Sequence, residues 1–322
     1  MNKKLLISLS IVFGVIAVAL ILTWTLFGLS SVSVERHSTT QNLAVTDEEI
    51  VAAGKFHLHA SVLFGGKKKA IKNIENFAYE DENFAYIRVL NIETKFPNKF
   101  VIHIAEREEL FAVEKDGQVF VCDRDLRVLR KVASYSNTNQ NAILLSGLEI
   151  TNEEVKVGDF LSVKQNGIKN FYSGMLKSNR SLAEQIGKFE KITLSSYTDN
   201  LTHKEYVSMK LETFAGKVFV INNIDFALAE KIQKMFAVES AIYSTATDGA
   251  GNLLDANGEI VYVVKNESNE YVSFDSEKHE EADKVALTYD LIDNCYIKID
   301  NLTLSEYVKR SVADIYYCFV EL

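Results

Sequence analysis

The sequence predicts an α+β protein: one N-terminal transmembrane helix, then a β-α-α-β-β segment, then a mixed-sheet domain with helices on one side. Three observations carry this prediction. An apolar run without charge extends from Leu5 to about Leu29. Two stretches of alternating apolar and polar residues flank Pro97. Short segments of strand and helix periodicity then alternate as far as about Phe274.

The N-terminal apolar run is long enough to cross a membrane. As a helix it would measure about 37 Å, whereas the hydrocarbon core of a bilayer is about 30 Å thick. A cleaved signal peptide would have a shorter apolar core, so we expect a retained anchor. Lys3 and Lys4 precede the run. The positive-inside rule therefore predicts a cytoplasmic N-terminus, with everything after about Ser31 outside the cell.

The β-α-α-β-β segment is predicted from local signals. Thr46 and Glu49 form a capping box that begins a short helix, and Gly54 ends this helix. Pro97 cannot donate to a strand ladder and so marks a turn. The elements expected here are a strand near Val32 and Val34, the helix after Thr46, a helix at Lys67–Phe77, and strands at Leu90–Phe96 and Phe100–Ile104.

The following segment predicts the mixed sheet. Lys115–Gln118 is a hairpin turn that leads into a strand at Val119–Asp123. A helix is expected after Asn223 as its N-cap, because Ile224, Leu228, Ile232 and Phe236 recur at helical spacing. The other elements expected are a helix at Ser181–Lys188 and strands at Ala142–Leu145, Lys191–Tyr197, Glu205–Glu212, Lys217–Ile221, Glu259–Val264 and Tyr271–Phe274.

Composition and motifs argue against several functional classes. The net charge of -9 argues against nucleic acid as a partner, because phosphate binding needs a basic surface. The 3 cysteines lack the spacing of a disulfide framework or a metal knuckle. His57 and His59 form a pair without a third ligand at useful spacing. No motif for a nucleophile, a phosphate loop or a metalloprotease is present, so we expect no enzyme, metal, cofactor or small-molecule substrate.

The stretch from Tyr86 to Arg107 carries a resemblance to a known family. It contains a strand with a basic residue, a Phe-Pro-Asn turn, a second alternating strand and a Glu-Arg pair. This order resembles the POTRA domain of the FtsQ/DivIB cell-division proteins, and Phe214–Lys231 resembles the strand-to-helix passage of that family. The resemblance covers about residues 1–275. The residues that match the POTRA signature are Phe96, Pro97, Asn98, Glu106 and Arg107.

The resemblance implies a non-enzymatic, membrane-anchored divisome scaffold at the division septum of a bacterium. Its implied partners are FtsB/DivIC-like and FtsL-like coiled-coil proteins, with the septal cell-wall synthase as a further candidate. A partner strand would pair with the last strand of the β domain. The sequence does not decide whether this last strand is Glu259–Val264 or Tyr271–Phe274. The candidate partner-binding residues are Glu259, Ile260, Val261, Tyr262, Val264, Tyr271, Val272 and Phe274.

Two alternatives stay open. Both candidate strands could lie inside the sheet, which would leave no edge for a partner. A POTRA-bearing export or assembly chaperone of the cell envelope is the alternative function. One POTRA copy behind one membrane helix fits that class less well, because its members usually carry several copies.

The predicted domain limits follow from these elements. Residues 1–4 are a cytoplasmic tail, 5–30 the transmembrane helix, 31–110 the POTRA domain and 111–275 the extracytoplasmic β domain. Residues 276–322 form a C-terminal extension of unassigned role. Within it, a capping box and an apolar face predict a helix that packs on the β domain or docks a partner, with a strand as the alternative near the end: Thr303, Leu304, Glu306, Val308, Val312, Ile315 and Phe319.

The topology can be tested with reporter fusions. A reporter that is active only outside the cytoplasm, fused after Leu322, should be active, because Lys3 and Lys4 hold the N-terminus inside. A reporter that is active only in the cytoplasm should be silent at the same position. The reverse pattern would contradict the predicted orientation.

Overall fold

The structure is a computed structural model. It divides into two compact units, one of Met1–Glu108, Arg127–Lys131 and Glu154–Phe160, and one of Glu109–Leu126, Val132–Glu153 and Leu161–Leu322. The predicted domain limits remain predictions. The structure describes residues 12–18, 21, 26–37, 43–62, 66–135, 142–178, 181–198, 203–215, 217–243, 246–255, 257–265, 267, 270–288, 291, 295–299 and 318–320.

The predicted transmembrane helix lies largely outside the described residues. Residues 12–18 are helical, while 1–11, 19–20 and 22–25 are not described. Among the described helices, none combines the length and the apolar character needed to span a membrane.

The first unit contains the predicted β-α-α-β-β order. Its sheet has the order β1-β3-β2, in which β1 runs parallel to the central strand β3 and β2 runs antiparallel to it. The elements are β1 (Ser31–Arg36), α1 (Asp47–Ala53), α2 (Lys67–Asn76), short 3-10 helices at Phe77–Tyr79 and Glu82–Tyr86, β2 (Ile87–Lys95) and β3 (Lys99–Glu106).

The capping box before α1 has both of its expected hydrogen bonds. The backbone N–H of Glu49 donates to Thr46 Oγ1 at 3.3 Å, and the backbone N–H of Thr46 donates to Glu49 Oε2 at 2.8 Å. The bonds from the Thr46 backbone and side chain lower the pKa of Glu49. The helix therefore begins where the sequence predicts, because two otherwise unpaired backbone donors are satisfied there.

The phase of β3 fixes the core of the first unit. Phe100, Ile102 and Ile104 are buried as their alternation predicts, and Ile102 is 0% exposed. Val101 is also buried, so the opposite face of the strand is partly covered as well. His103, on that same opposite face, is half-buried.

Two buried arginines close the first unit. Arg107 donates through Nε to the carbonyl of Ile87 at 3.2 Å and lies 3.5 Å from the Glu75 carboxylate. Arg127 donates through Nη2 to the Glu75 carbonyl at 2.7 Å. Both guanidinium groups stack on the ring of Phe160, at 5.6 Å and 5.2 Å from its centroid. Arg107 of the predicted signature is thus a packed, hydrogen-bonded side chain.

The rest of the predicted signature lies at the turn between β2 and β3 or at the end of β3. Phe96 is largely exposed, and its ring meets Phe27 edge-on at 6.3 Å between centroids. The carbonyl of Asn98 accepts a hydrogen bond from the Ser30 backbone N–H at 2.8 Å. The peptide between Phe96 and Pro97 is cis. Glu106 is the last residue of β3.

The second unit is a large mixed sheet with few helices. Its strands lie side by side in this order: β13 (Val285–Ala286), β11 (Tyr262–Lys265), β12 (Glu270–Ser273), β15 (Cys318–Val320), β14 (Cys295–Ile299), β10 (Val218–Ile221), β9 (Glu205–Thr213), β8 (Phe189–Thr198), β7 (Ile143–Ser146), β4 (Phe111–Lys115) and β5 (Gln118–Cys122). Its helices are a 3-10 helix (Asn166–Asn170), α3 (Phe171–Lys177), α4 (Leu182–Lys188) and α5 (Leu228–Tyr243). Strand β6 (Val128–Val132) belongs largely to the first unit.

A series of aromatic rings forms the core of this unit. The ring centroids of Phe111 and Phe171 are 5.8 Å apart, those of Phe171 and Phe189 6.2 Å, and those of Phe189 and Phe236 6.3 Å. Gly174 lets α3 approach α5 closely, since a Cβ at this position would lie 2.8 Å from the Ala229 Cα. The apolar stripe of α5 therefore packs inward, as its spacing predicts.

The predicted start of α5 is wrong by one turn. The helix begins at Leu228, and Asn223 does not act as its N-cap. Asn223 and Ala227 have φ of 52° and 51°, which is outside the right-handed helical region. The Lys231 ammonium donates to the carbonyls of Asn222 and Asn223, at 2.6 Å and 2.9 Å. These hydrogen bonds stabilise a non-helical turn, which the spacing of the apolar residues does not predict.

Ile102→Ala should lower the free energy of unfolding by about 2–5 kcal/mol, because it leaves a cavity in a strand buried by its neighbours on both sides. Leu90→Ala on β2 is the matched control: Leu90 is 49% exposed, so its change should stay within about 0.5 kcal/mol. Urea denaturation of both variants measures the difference. Equal effects would mean that β3 is shifted by one residue.

Candidate protein-binding strands

The predicted partner-binding residues lie on one hairpin and its flanks. The hairpin consists of β11 (Tyr262–Lys265) and β12 (Glu270–Ser273). Of the predicted residues, Tyr262 and Val264 lie on β11, and Tyr271 and Val272 on β12, while Glu259, Ile260 and Val261 precede β11 and Phe274 follows β12.

Strand β11 has neighbours on both sides. It pairs antiparallel with β12 through Val264 opposite Val272 and Lys265 opposite Tyr271. On its other side it pairs antiparallel with β13 (Val285–Ala286). Strand β11 is therefore interior to the sheet, so its backbone offers no free edge.

Strand β12 is also interior, and its second neighbour comes from the C-terminal end of the chain. It pairs with β15 (Cys318–Val320), and among the described residues Glu270 lies opposite Phe319 and Tyr271 opposite Cys318. Strand β15 pairs in turn with β14 (Cys295–Ile299), which runs parallel to β10. The sequence leaves open whether one candidate strand forms a free edge or both lie inside the sheet. In the structure both lie inside the sheet.

The C-terminal extension thus contributes strands to the sheet. The helix predicted from the Thr303 capping box falls on residues 301–317, which lie outside the described residues. The last described residues, Cys318–Val320, are a strand, the alternative that the sequence favours near the end. Sequence reasoning did not identify the strand at Cys295–Ile299 or its place beside β10.

Two aromatic side chains of the predicted site meet at a lysine. The Lys284 ammonium lies 4.6 Å from the Tyr262 ring centroid and 5.6 Å from that of Phe274. It also forms an ion pair with Glu281. The hydrogen bond that Lys284 donates to Glu281 raises the pKa of Lys284 and so keeps it charged. Tyr262 and Phe274 therefore present a half-buried aromatic surface that already binds a cation.

Lys284 was not predicted as part of this site. It lies ten residues beyond Phe274 in the sequence, in an acidic stretch of the C-terminal extension whose role the sequence leaves unassigned. The signal that could have identified it is charge: Lys278 and Lys284 are the basic residues among several carboxylates there.

A tight turn holds the start of the site. Asp255 Oδ1 accepts hydrogen bonds from the backbone N–H groups of Asn257 and Glu259, at 2.8 Å and 2.9 Å. The bond from Glu259 is the main reason why the pKa of Asp255 is lowered. This segment is therefore a turn in which the Asp255 carboxylate accepts hydrogen bonds from the backbone that follows it.

Comparisons with known proteins point to one group of relatives. Over 169 residues the chain is 28% identical to the cell division protein DivIB of Clostridium botulinum strain Hall, covering 52% of this chain and 60% of that protein. It is 26% identical over 166 residues to DivIB of Clostridium tetani, covering 52% and 57%. The matches therefore span less than two thirds of these relatives. No family model matches the chain.

A solved structure was also found. It is the major extracytoplasmic domain of the cell division protein DivIB from Geobacillus stearothermophilus, with 15% identity and coverage of 44% of this chain and 98% of that one. The TM-score is 0.24, which is too low to establish a shared fold.

The turn before β11 should weaken in acid. Because hydrogen bonds to the carboxylate lower the pKa of Asp255 in the folded protein, the stabilisation is present above the unfolded pKa and is lost as the pH falls through the folded pKa. Amide hydrogen exchange of Glu259, corrected for the intrinsic effect of pH, should therefore speed up in that range. In Asp255→Asn, whose amide oxygen accepts but does not titrate, the corrected rate should not change with pH. The same acid dependence in both proteins would contradict the assignment.

Proposed function

Because the chain is a member of the FtsQ/DivIB family of cell-division proteins, we propose that it is a non-enzymatic, membrane-anchored scaffold of the division machinery. Its role is to recruit and position other division proteins at the septum through its extracytoplasmic domain. The proposed partners are the FtsB/DivIC-like and FtsL-like proteins that the family resemblance implies, and the septal cell-wall synthase. The relatives named above support a role in cell division.

One observation carries the proposed mechanism: the second neighbour of β12 is β15, a short strand from far along the chain. Among the residues that the structure describes, the ladder of β12 with β11 has three residue pairs and its ladder with β15 has two. A strand from a partner that takes the place of β15 would satisfy the same backbone groups and could extend along the whole of β12. Binding would then be strand exchange at an interior position, in place of the addition to an open edge that the sequence suggests.

The aromatic surface beside β11 would supply specificity. Backbone pairing alone recognises almost any extended segment, so discrimination needs side-chain contacts beside the ladder. Tyr262 and Phe274 both lie against Lys284. Aromatic side chains of this kind are frequent anchors of interfaces. A basic side chain of a partner could bind these rings in the same way as Lys284.

The test is the binding of the full chain to its DivIC-like and FtsL-like partners. Tyr271→Pro removes a backbone donor from β12, so it should abolish partner binding while circular dichroism shows retained folding. Glu280→Pro is the control, because Glu280 has φ of -75° and so already has the backbone conformation of proline. This variant should bind as the unaltered protein does.

Truncation after residue 317 removes β15 and tests the exchange itself. The truncated chain should bind the partners more tightly, because no internal strand competes for β12. Equal affinity, or an interface confined to the first unit, would contradict strand exchange at β12. If neither the full chain nor the truncated chain bound these partners, the scaffold role itself would be contradicted.

A further inference from the structure

Two histidines and a glutamate from distant parts of the sequence meet on the first unit. His37 Nε2 and His103 Nδ1 are 2.8 Å apart. Glu35 Oε2 lies 3.7 Å from the same His103 nitrogen. The three potential ligand atoms of this cluster all lie within 4.8 Å of one another. Parallel pairing of β1 with β3 creates the cluster, because it places Glu35 directly beside His103.

A second carboxylate fixes the orientation of His103. Glu93, on β2, accepts a hydrogen bond from His103 Nε2 at 3.1 Å. With its proton on Nε2, His103 has a lone pair on Nδ1, the atom that faces His37 and Glu35. A histidine that binds a metal through one nitrogen commonly donates the other N–H to a carboxylate in this manner. Glu93 is not one of the three cluster residues, and its contact with His103 is the outer contact expected of a metal site.

We propose that Glu35, His37 and His103 form a binding site for Zn²⁺, with Glu93 as the residue that positions His103. Two imidazoles and one carboxylate are an established zinc ligand set that leaves a fourth position for water. The two carboxylates beside the imidazoles also favour a divalent cation electrostatically.

The geometry needs little adjustment to accept the ion. Zinc–nitrogen bonds of about 2.0–2.1 Å in a tetrahedral site place two ligand nitrogens about 3.3 Å apart. The two histidine nitrogens are at 2.8 Å, so the rings would separate by about half an ångström. Glu35 is 52% exposed and His37 is exposed as well, so both can move. His103 is only 13% exposed and serves as the fixed ligand.

A bound zinc ion would stabilise the pairing of β1 with β3. β1 and the residue after it carry Glu35 and His37, whereas His103 belongs to the central strand β3. Zinc would bind the folded arrangement and not the unfolded chain, so it would stabilise the attachment of β1. This inference does not depend on the proposed partner binding.

Isothermal titration of the metal-free full chain with Zn²⁺ tests the proposal. One equivalent of zinc should bind and raise the melting temperature. His37→Ala, Glu35→Gln and His103→Gln should each weaken zinc binding by more than Glu93→Gln, which should weaken it by about 10–100-fold. Glu93→Gln keeps a hydrogen-bond acceptor, so a purely structural role of this residue would not change the affinity for zinc.

Two control variants test whether binding is specific. His57→Ala and Glu48→Gln alter exposed residues of the same unit outside the cluster and should leave zinc binding unchanged. Melting temperatures in chelator show that each variant is folded. The proposal is overturned if zinc does not bind, or if His37→Ala and Glu35→Gln bind zinc as tightly as the unaltered protein does.

Discussion

The backbone of an interior strand must be hydrogen-bonded on both sides, and the arrangement of the second unit follows from this requirement. Strand β11 carries the buried side chains Val263 and Val264 at its centre, so unpaired N–H and C=O groups beside it would be costly. The chain supplies the missing neighbours from sequence positions further on, β13 on one side and β15 on the other. The C-terminal extension is therefore part of the sheet.

Buried polar side chains also need hydrogen-bond partners, and two buried arginines of the first unit have them. Arg107 and Arg127 are held by backbone carbonyls and by the ring of Phe160. A buried guanidinium without such partners would cost several kcal/mol, on the order of 3–5. Arg107, the second residue of the Glu-Arg pair that resembles a family signature, thus has a structural role in the core of this unit.

Local signals in the sequence predicted the elements well. The capping box at Thr46, the Pro97 turn and the alternation of Phe100, Ile102 and Ile104 gave the order of the first unit and the phase of its central strand. These signals work because each depends on neighbours within a few residues. The start of α5 was missed because Asn223 and Ala227 adopt positive φ, and the Lys231 ammonium that donates to the Asn222 and Asn223 carbonyls comes from further along the chain.

Contacts between distant residues could not be predicted in this way. Strands β11 and β12 are interior because they pair with β13 and β15, which lie tens of residues further along the chain. His37 and His103 are separated by 66 residues, and only the parallel pairing of β1 with β3 brings them together. Periodicity shows that a strand exists and which face is apolar, but it does not identify the adjacent strand.

The first strand, β1, and the last strand, β15, differ in the number of described residue pairs that join them to their neighbours. The proposed exchange involves the one with fewer pairs to its neighbour, β15. β1 pairs with β3 through six residue pairs and carries the histidine cluster as an additional contact. Within the described residues, β15 pairs through two residues with β12 and three with β14. Local opening costs least where few backbone bonds must separate. Under the proposed exchange, a partner strand would replace β15 while the central strands and the first unit stay folded. That cost also lowers the apparent affinity for any segment that pairs only through its backbone, so tight binding requires side-chain contacts in addition to the ladder.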